Sequence, residues 1–384
     1  MLTERKKERK KERKKERKKL RNSNIEILRI LSMLFIVASH FTVHNGVTNT
    51  DLPLGFNRYL LEIGTLGNIG VILFVLISGY FIISSENSSL RQIAKISIQT
   101  FIYSFLIYIL CVLFFDSRIS IGEILHYSFP VLFNRYWFVT AYIVLYTLTP
   151  FLNKFLNSLS RKDYLYFLLV MILFISIIPT FTTGTLGLSN LIELILFYSI
   201  GGYFKKYPNN LLSNKKMSYY IFAISSLILF ISPIAIDILG SLCSKFASLN
   251  LILFQRNSIV AILFSVSLFS IFINKKEFTN KFINIIGGCT LGVYLIHEHP
   301  LIRPLLWNEW IPVSKYVNSP YLILVLIISV LLVFTICTII EFFRKSIFDW
   351  IQNRFLNRFI DSIQNKWEDF SDKLCNNIIS KNTN

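Results

Sequence analysis

Arg29 and His40 are the first residues in the chain that could do chemistry, because their surroundings make them expensive. Both lie in NIEILRILSMLFIVASHFTVH, a stretch otherwise apolar enough to cross a bilayer. Ionisable groups in such a segment mark a candidate functional site. Eleven residues of α-helix amount to three turns plus about 20°, so the two side chains share a face, about 16 Å apart along the axis. Glu26 lies near the same face, and His44 follows one turn after His40. Imidazole titrates near neutrality, which makes His40 a candidate general base, able to take a proton from an attacking hydroxyl. The alternative is interfacial, with an arginine snorkelling at one surface and a histidine at the other.

A second group lies far along the chain, in GGCTLGVYLIHEHPLIR, which ends on His297, Glu298, His299 and Arg303. Two imidazoles and a carboxylate at one helix end suit an acid/base site, with His297 or Glu298 orienting a base or binding the acceptor. They also resemble half a metal site. Metal binding needs convergent ligands from elsewhere, and only His40 and His44 offer themselves, so no metal is expected. Arg135-Tyr136-Trp137 opens another apolar stretch, and GNIGVILFVLISGYFII carries Asn68, Ser78 and three glycines. Ser78, Arg135 and Trp137 are candidate donors to a developing oxyanion. The bland counterparts are an aromatic belt at the membrane boundary and glycines that let helices pack closely. GxxxxGK[ST] and HExxH are absent, which argues against ATP-driven and zinc-peptidase chemistry.

These residues need helices to position them. Of 384 residues, 53 % are hydrophobic and 16 % charged, against about a quarter charged in soluble domains. That composition predicts an all-α, polytopic membrane protein. About 20 mainly apolar residues cross the hydrocarbon core. On that rule ten spans are expected, near 25–43, 63–84, 93–115, 136–153, 163–181, 188–204, 218–238, 257–273, 282–299 and 320–342. With the N-terminus inside, the inner loops hold twelve Lys and Arg and the outer loops seven, so both termini are expected to be cytoplasmic. Arg91 and Lys95 then join Arg29 at the inner boundary.

The net charge of +18 owes +8 to residues 4–19, four tandem copies of ERKK. That run lacks aromatic stacking positions, so it reads as a solvated tail drawn to anionic lipid, with no nucleic-acid partner. The expected organisation is a basic tail over 1–23 and a transmembrane domain over 24–343. An amphipathic interfacial helix over 344–370 and a disordered end over 371–384 follow. Five dispersed cysteines suggest neither a disulfide framework nor a zinc site.

At Arg29-x10-His40, FVLISGYFI (74–82), YWFVTAYIVLYTLTPFLN (136–153) and LGVYLIHEHPLIRPLLW (291–307), the sequence resembles the integral-membrane acyltransferase family 3. The order of these motifs spans roughly residues 24–345. The nearest resemblance is to members that modify cell-wall or capsular polysaccharides at the bacterial cytoplasmic membrane. It implies transfer of an acyl group, usually acetyl, from cytoplasmic acyl-CoA to a hydroxyl of an envelope polysaccharide or lipid-linked sugar. His40 and Glu298 would then be catalytic. Arg29, Arg91 and Lys95 would meet the CoA phosphates, and Ser78, Arg135, Trp137 and His297 would line the substrate path. Acetyl-CoA enters as donor substrate. A transporter or flippase of lipid-linked saccharides is the competing class, although no internal repeat supports it.

Overall fold

The computed structural model describes residues 21–46, 52–85, 90–115, 119–182 and 190–351. Among them the regular structure is helical, without a strand. The first helix, α1 (Ser23–Val43), is capped by the Asn22 side chain, which accepts from the Asn24 amide. A short α2 (Phe56–Ile63) leads into α3 (Gly67–Ile82), followed by α4 (Leu90–Phe114) and the short α5 (Ile121–Ser128). Then come α6 (Trp137–Ser158), α7 (Arg161–Thr182), α8 (Asn190–Lys206) and α9 (Lys215–Leu242). The chain continues through α10 (Ile259–Ile273), α11 (Lys281–Gly287), α12 (Thr290–His297) and α13 (Leu322–Ile351). Side-chain caps at Ser120, Ser160, Asn214 and Ser258 accept from first-turn amides and close helix starts.

Helix α3 is the centre of the bundle, packed against α1, α8 and α10. Its glycines explain how. A Cβ on Gly79 would strike the Tyr198 backbone, and one on Gly201 the Leu76 backbone, so α3 and α8 meet main chain to main chain. On the other side Gly70 abuts the Ser32 carbonyl and Ile36 of α1. Without a strong hydrophobic drive between helices in lipid, such close approach is what dispersion and packing require. The outer helices turn apolar side chains outward: Phe151 is 74 % exposed, Leu227 61 % and Ile328 61 %. A soluble protein would bury these; a bilayer solvates them.

Among the described residues, eight helical stretches are long and apolar enough to cross a membrane. They comprise α1, α2 with α3, α4, α6, α7, α9, the stretch that ends in α10, and α13. The other two expected spans are helical but shorter. Helix α8 has 17 residues, and the span expected at 282–299 is interrupted between α11 and α12. At the interruption Gly287 lies against the Glu26 side chain, where a Cβ would not fit. In α7 a π-helical turn over Leu173–Ile177 precedes Pro179, whose ring cannot donate to the regular ladder.

The boundary expected at 343/344 falls inside α13, which continues unbroken to Ile351. The ERKK repeat, residues 352–370 of the expected amphipathic helix and residues 371–384 lie outside the described residues.

Candidate active site

One face of α1 lines a cavity of about 810 Å³ with Arg29, Met33, Ile36, His40, Val43 and His44. Their spacing is that of a single helical stripe. Leu28, Val37 and Phe41, on the flanks of that stripe, are buried in the core. Arg29 and His40 therefore do share a face, and that face is open to a ligand rather than only to the membrane boundaries. The remaining walls come from α3, α4, α6, the α11–α12 break and the end of α13.

At one end stand the histidines. His40 Nδ1 lies 2.9 Å from His297 Nε2 and 3.1 Å from Glu298 Oε2. His44 Nε2 is 3.4 Å from the same carboxylate oxygen, while Arg303 donates to its other oxygen at 2.9 Å. The hydrogen bonds fix the tautomers. His297 Nδ1 lies 2.6 Å from the Val293 carbonyl, which can only accept. Neutral His297 therefore carries its proton on Nδ1 and offers a lone pair at Nε2. His40 must then donate from Nδ1 to His297 Nε2, with the Glu298 carboxylate beside the same nitrogen, which leaves its own lone pair on Nε2. A base is made this way: one nitrogen anchored by acceptors, the other available. Buried Glu298 also faces any positive charge that forms on that ring.

The donor atoms of His40, His44 and Glu298 all lie within 4.8 Å of one another, so this set could also hold a divalent cation. A cation there would take the His40 Nδ1 lone pair and place the proton on Nε2, abolishing the base.

The other end is cationic. Arg21, Arg29, Lys95, Arg344 and Lys345 line it, and among the described residues Glu298 is the only acid lining the cavity. Two carboxylates stand behind these cations. Arg21 and Arg29 approach Glu26 at 4.0 and 3.9 Å. Arg344 makes two 2.7 Å bonds to Glu341, whose carboxylate also accepts from Tyr103 at 2.7 Å and Gln99 at 3.1 Å. Lys345 donates to the Gly288 carbonyl at the helix break. Five cations around one mouth make a surface for a polyanion.

Among the residues singled out in sequence, Arg29, His40, Ser78, Lys95, Trp137 and Glu298 line the cavity, and His297 touches His40 from behind. Two do not join it. Arg135 is taken up by α5: it lies 3.3 Å from Glu123 and 2.7 Å from His126, with its guanidinium over the Tyr127 ring. Arg91, at the start of α4, is absent from the lining. Ser78 donates back to the Phe74 carbonyl at 2.9 Å and lies 3.1 Å from the Tyr142 hydroxyl, so its proton is not free for an oxyanion. Of the three candidate oxyanion donors, Arg135 and Ser78 are thus engaged by other groups, and Trp137 remains at the cavity wall. Sequence reasoning missed Arg21, Arg344 and Lys345, whose only signal was positive charge at the two ends of the membrane domain.

A family model described as an acyltransferase domain, Acyl_transf_3, matches residues 22–340. No curated protein and no solved structure matches the chain.

Proposed function

The chain belongs to the acyltransferase family Acyl_transf_3 and is a multi-pass membrane acyltransferase; from that premise we propose that it moves an acetyl group from acyl-CoA to a hydroxyl of a cell-envelope polysaccharide or lipid-linked sugar. The membrane is the bacterial cytoplasmic membrane, with both termini inside. The observation that carries this reading is the anchored tautomer of His40, at one end of a cavity whose other end is cationic. Arg29 and His40 are separated by about 16 Å of helix. A donor with phosphates at one end, a slender arm and a thioester at the other suits that separation, and acetyl-CoA has this form.

In the proposed reaction the acceptor hydroxyl oxygen attacks the thioester carbonyl while His40 Nε2 takes its proton. Glu298 offsets the charge of the resulting imidazolium, and His297 holds the ring in place. The tetrahedral intermediate then breaks its C–S bond. The departing thiolate recovers the proton from His40 Nε2, giving the ester, free CoA thiol and the starting tautomer.

The test is to quantify ester-linked acetate on envelope glycans by NMR. The strains are a deletion, the deletion carrying the natural gene, and one carrying a well-expressed His40→Ala variant. Acetate lost on deletion, restored by the gene and missing in the variant is the expected result. Unchanged acetate in all three strains would remove the polysaccharide as acceptor. Full restoration by the variant would remove His40 from the chemistry.

A further inference from the structure

Trp137 is the first residue of α6 and lines the cavity. One face of its indole is covered by the Arg256 guanidinium, 4.3 Å from the ring centroid. That guanidinium is itself gripped. Its Nε donates to Glu193 Oε2 at 3.0 Å and its Nη2 to Asn190 Oδ1 at 2.7 Å. The Arg256 and Glu193 side chains are only 16 % and 13 % exposed. The preceding loop is tied to the cavity wall, where Asn68 donates to the Phe254 carbonyl at 3.1 Å. Phe138 meets the indole edge-on, with ring centroids 5.8 Å apart.

The arrangement also fixes Trp137 relative to the reacting centre. Its neighbour Tyr136 donates to the Leu295 carbonyl at 3.1 Å, two residues before His297. The indole is thus registered to the helix that carries His297 and Glu298. Glu193 balances the charge of Arg256, so the brace adds rigidity without drawing an anion. A flat, rigid, uncharged aromatic wall suits a ring that presents a row of C–H groups on one side and hydroxyls at its edge. A neutral pyranose is such a ring.

We propose that Trp137 is the platform for the acceptor's sugar ring, and that Arg256, clamped by Glu193 and Asn190, is the positioning residue that holds the indole plane at the cavity wall. The inference rests on the acetyl-transfer reading above and adds where the acceptor binds and what holds that surface.

The experiment uses the full chain in lipid nanodiscs, acetyl-CoA as donor, and envelope glycan freed of its esters by mild base as acceptor. Arg256→Met should raise the glycan KM by roughly 5- to 30-fold, the size of a desolvated cation–π contact. The acetyl-CoA KM should stay within about twofold, since the cationic end is untouched. Trp137→Phe should behave similarly, and the double variant should be no worse than Trp137→Phe alone, because the two act through one contact. Arg256→Lys should fall between. Where Arg256→Met does not reach the membrane, Glu193→Gln loosens the same clamp with the guanidinium retained.

An unchanged glycan KM would overturn the inference, and so would equal losses for glycan and acetyl-CoA, which mark a structural role. Should the unaltered protein acetylate a lipid alcohol but no glycan, the acceptor class itself falls. That outcome is distinct from a failed brace, which leaves glycan transfer by the unaltered protein intact.

Discussion

The two ends of the cavity are built on opposite principles. At the histidine end every charge has a close partner: Glu298 is approached by His40, His44 and Arg303 at 2.9–3.4 Å, and His297 is pinned to its own helix. At the other end, positive charge exceeds what surrounds it, and Arg21 and Arg29 share Glu26 only at 4.0 and 3.9 Å. The first region is preorganised, as chemistry demands, because its dipoles must already point where charge will develop. The second is left incomplete, as ligand binding demands, because an anion supplies the missing partners. Changes at the first end should therefore act on kcat and changes at the second on donor KM.

The largest effect is expected at His40. His40→Gln should lower kcat by about 10²–10⁴-fold, the usual contribution of a positioned general base, with little change in acetyl-CoA KM and normal amounts in the membrane by immunoblot. Steady-state kinetics in nanodiscs measure this. A variant within about threefold of the parent would show that the anchored tautomer has no part in the reaction.

Next comes Glu298→Gln, expected to cost roughly 10–100-fold in kcat, since a hydrogen-bond acceptor is kept and only the charge facing the imidazolium is lost. It should also weaken the hold on Arg303, which bonds the carboxylate at 2.9 Å. Glu298→Ala should be worse than Glu298→Gln, because Arg303 would lose its acceptor and His40 and His44 the polar group that faces them. Equal rates for the two would mean that the carboxylate serves packing alone.

At the cationic end the expected signature is different. Arg29→Gln should raise the acetyl-CoA KM about tenfold with kcat within about twofold, and added salt should narrow the gap between variant and parent, as screening removes the same attraction. Arg344→Lys should have a similar sign despite keeping its charge, because a lysine cannot reproduce the two 2.7 Å bonds to Glu341. A fall in kcat with unchanged KM in either variant would erase the distinction between the two ends.

How much of this was legible in the sequence follows from the range of each signal. The shared face of Arg29 and His40 was legible because helical period is local, and so was the His297–Glu298 group at a span end. Their meeting was foreseeable only as a possibility, since 257 residues separate His40 from His297. The fate of Arg135 was not legible, because its partners sit on α5, a helix too short to announce itself among the spans. The bond of Ser78 to the Phe74 carbonyl, four residues back, is a common one for serine in a helix, and the residue type alone does not tell it from a free donor. Gly287 reads as one more small residue until Glu26 is seen pressed against it.

The smallest effect offers the finest discrimination, because Arg91 and Lys95 looked equivalent in sequence. They lie one turn apart near the start of α4, both cationic, both placed by hydropathy at the same boundary. Only Lys95 lines the cavity. It is an exposed, flexible cation, and such a contact with a phosphate is worth about 0.2–1 kcal/mol. Lys95→Ala should therefore raise the acetyl-CoA KM by roughly 1.4- to fivefold, and Arg91→Ala should leave it unchanged. Both values come from the same initial-rate series over acetyl-CoA concentration, at two ionic strengths. If Arg91→Ala carried the larger, salt-dependent effect, the donor's phosphates would lie outside the mouth assigned here, and the cationic end would have to be redrawn around α4.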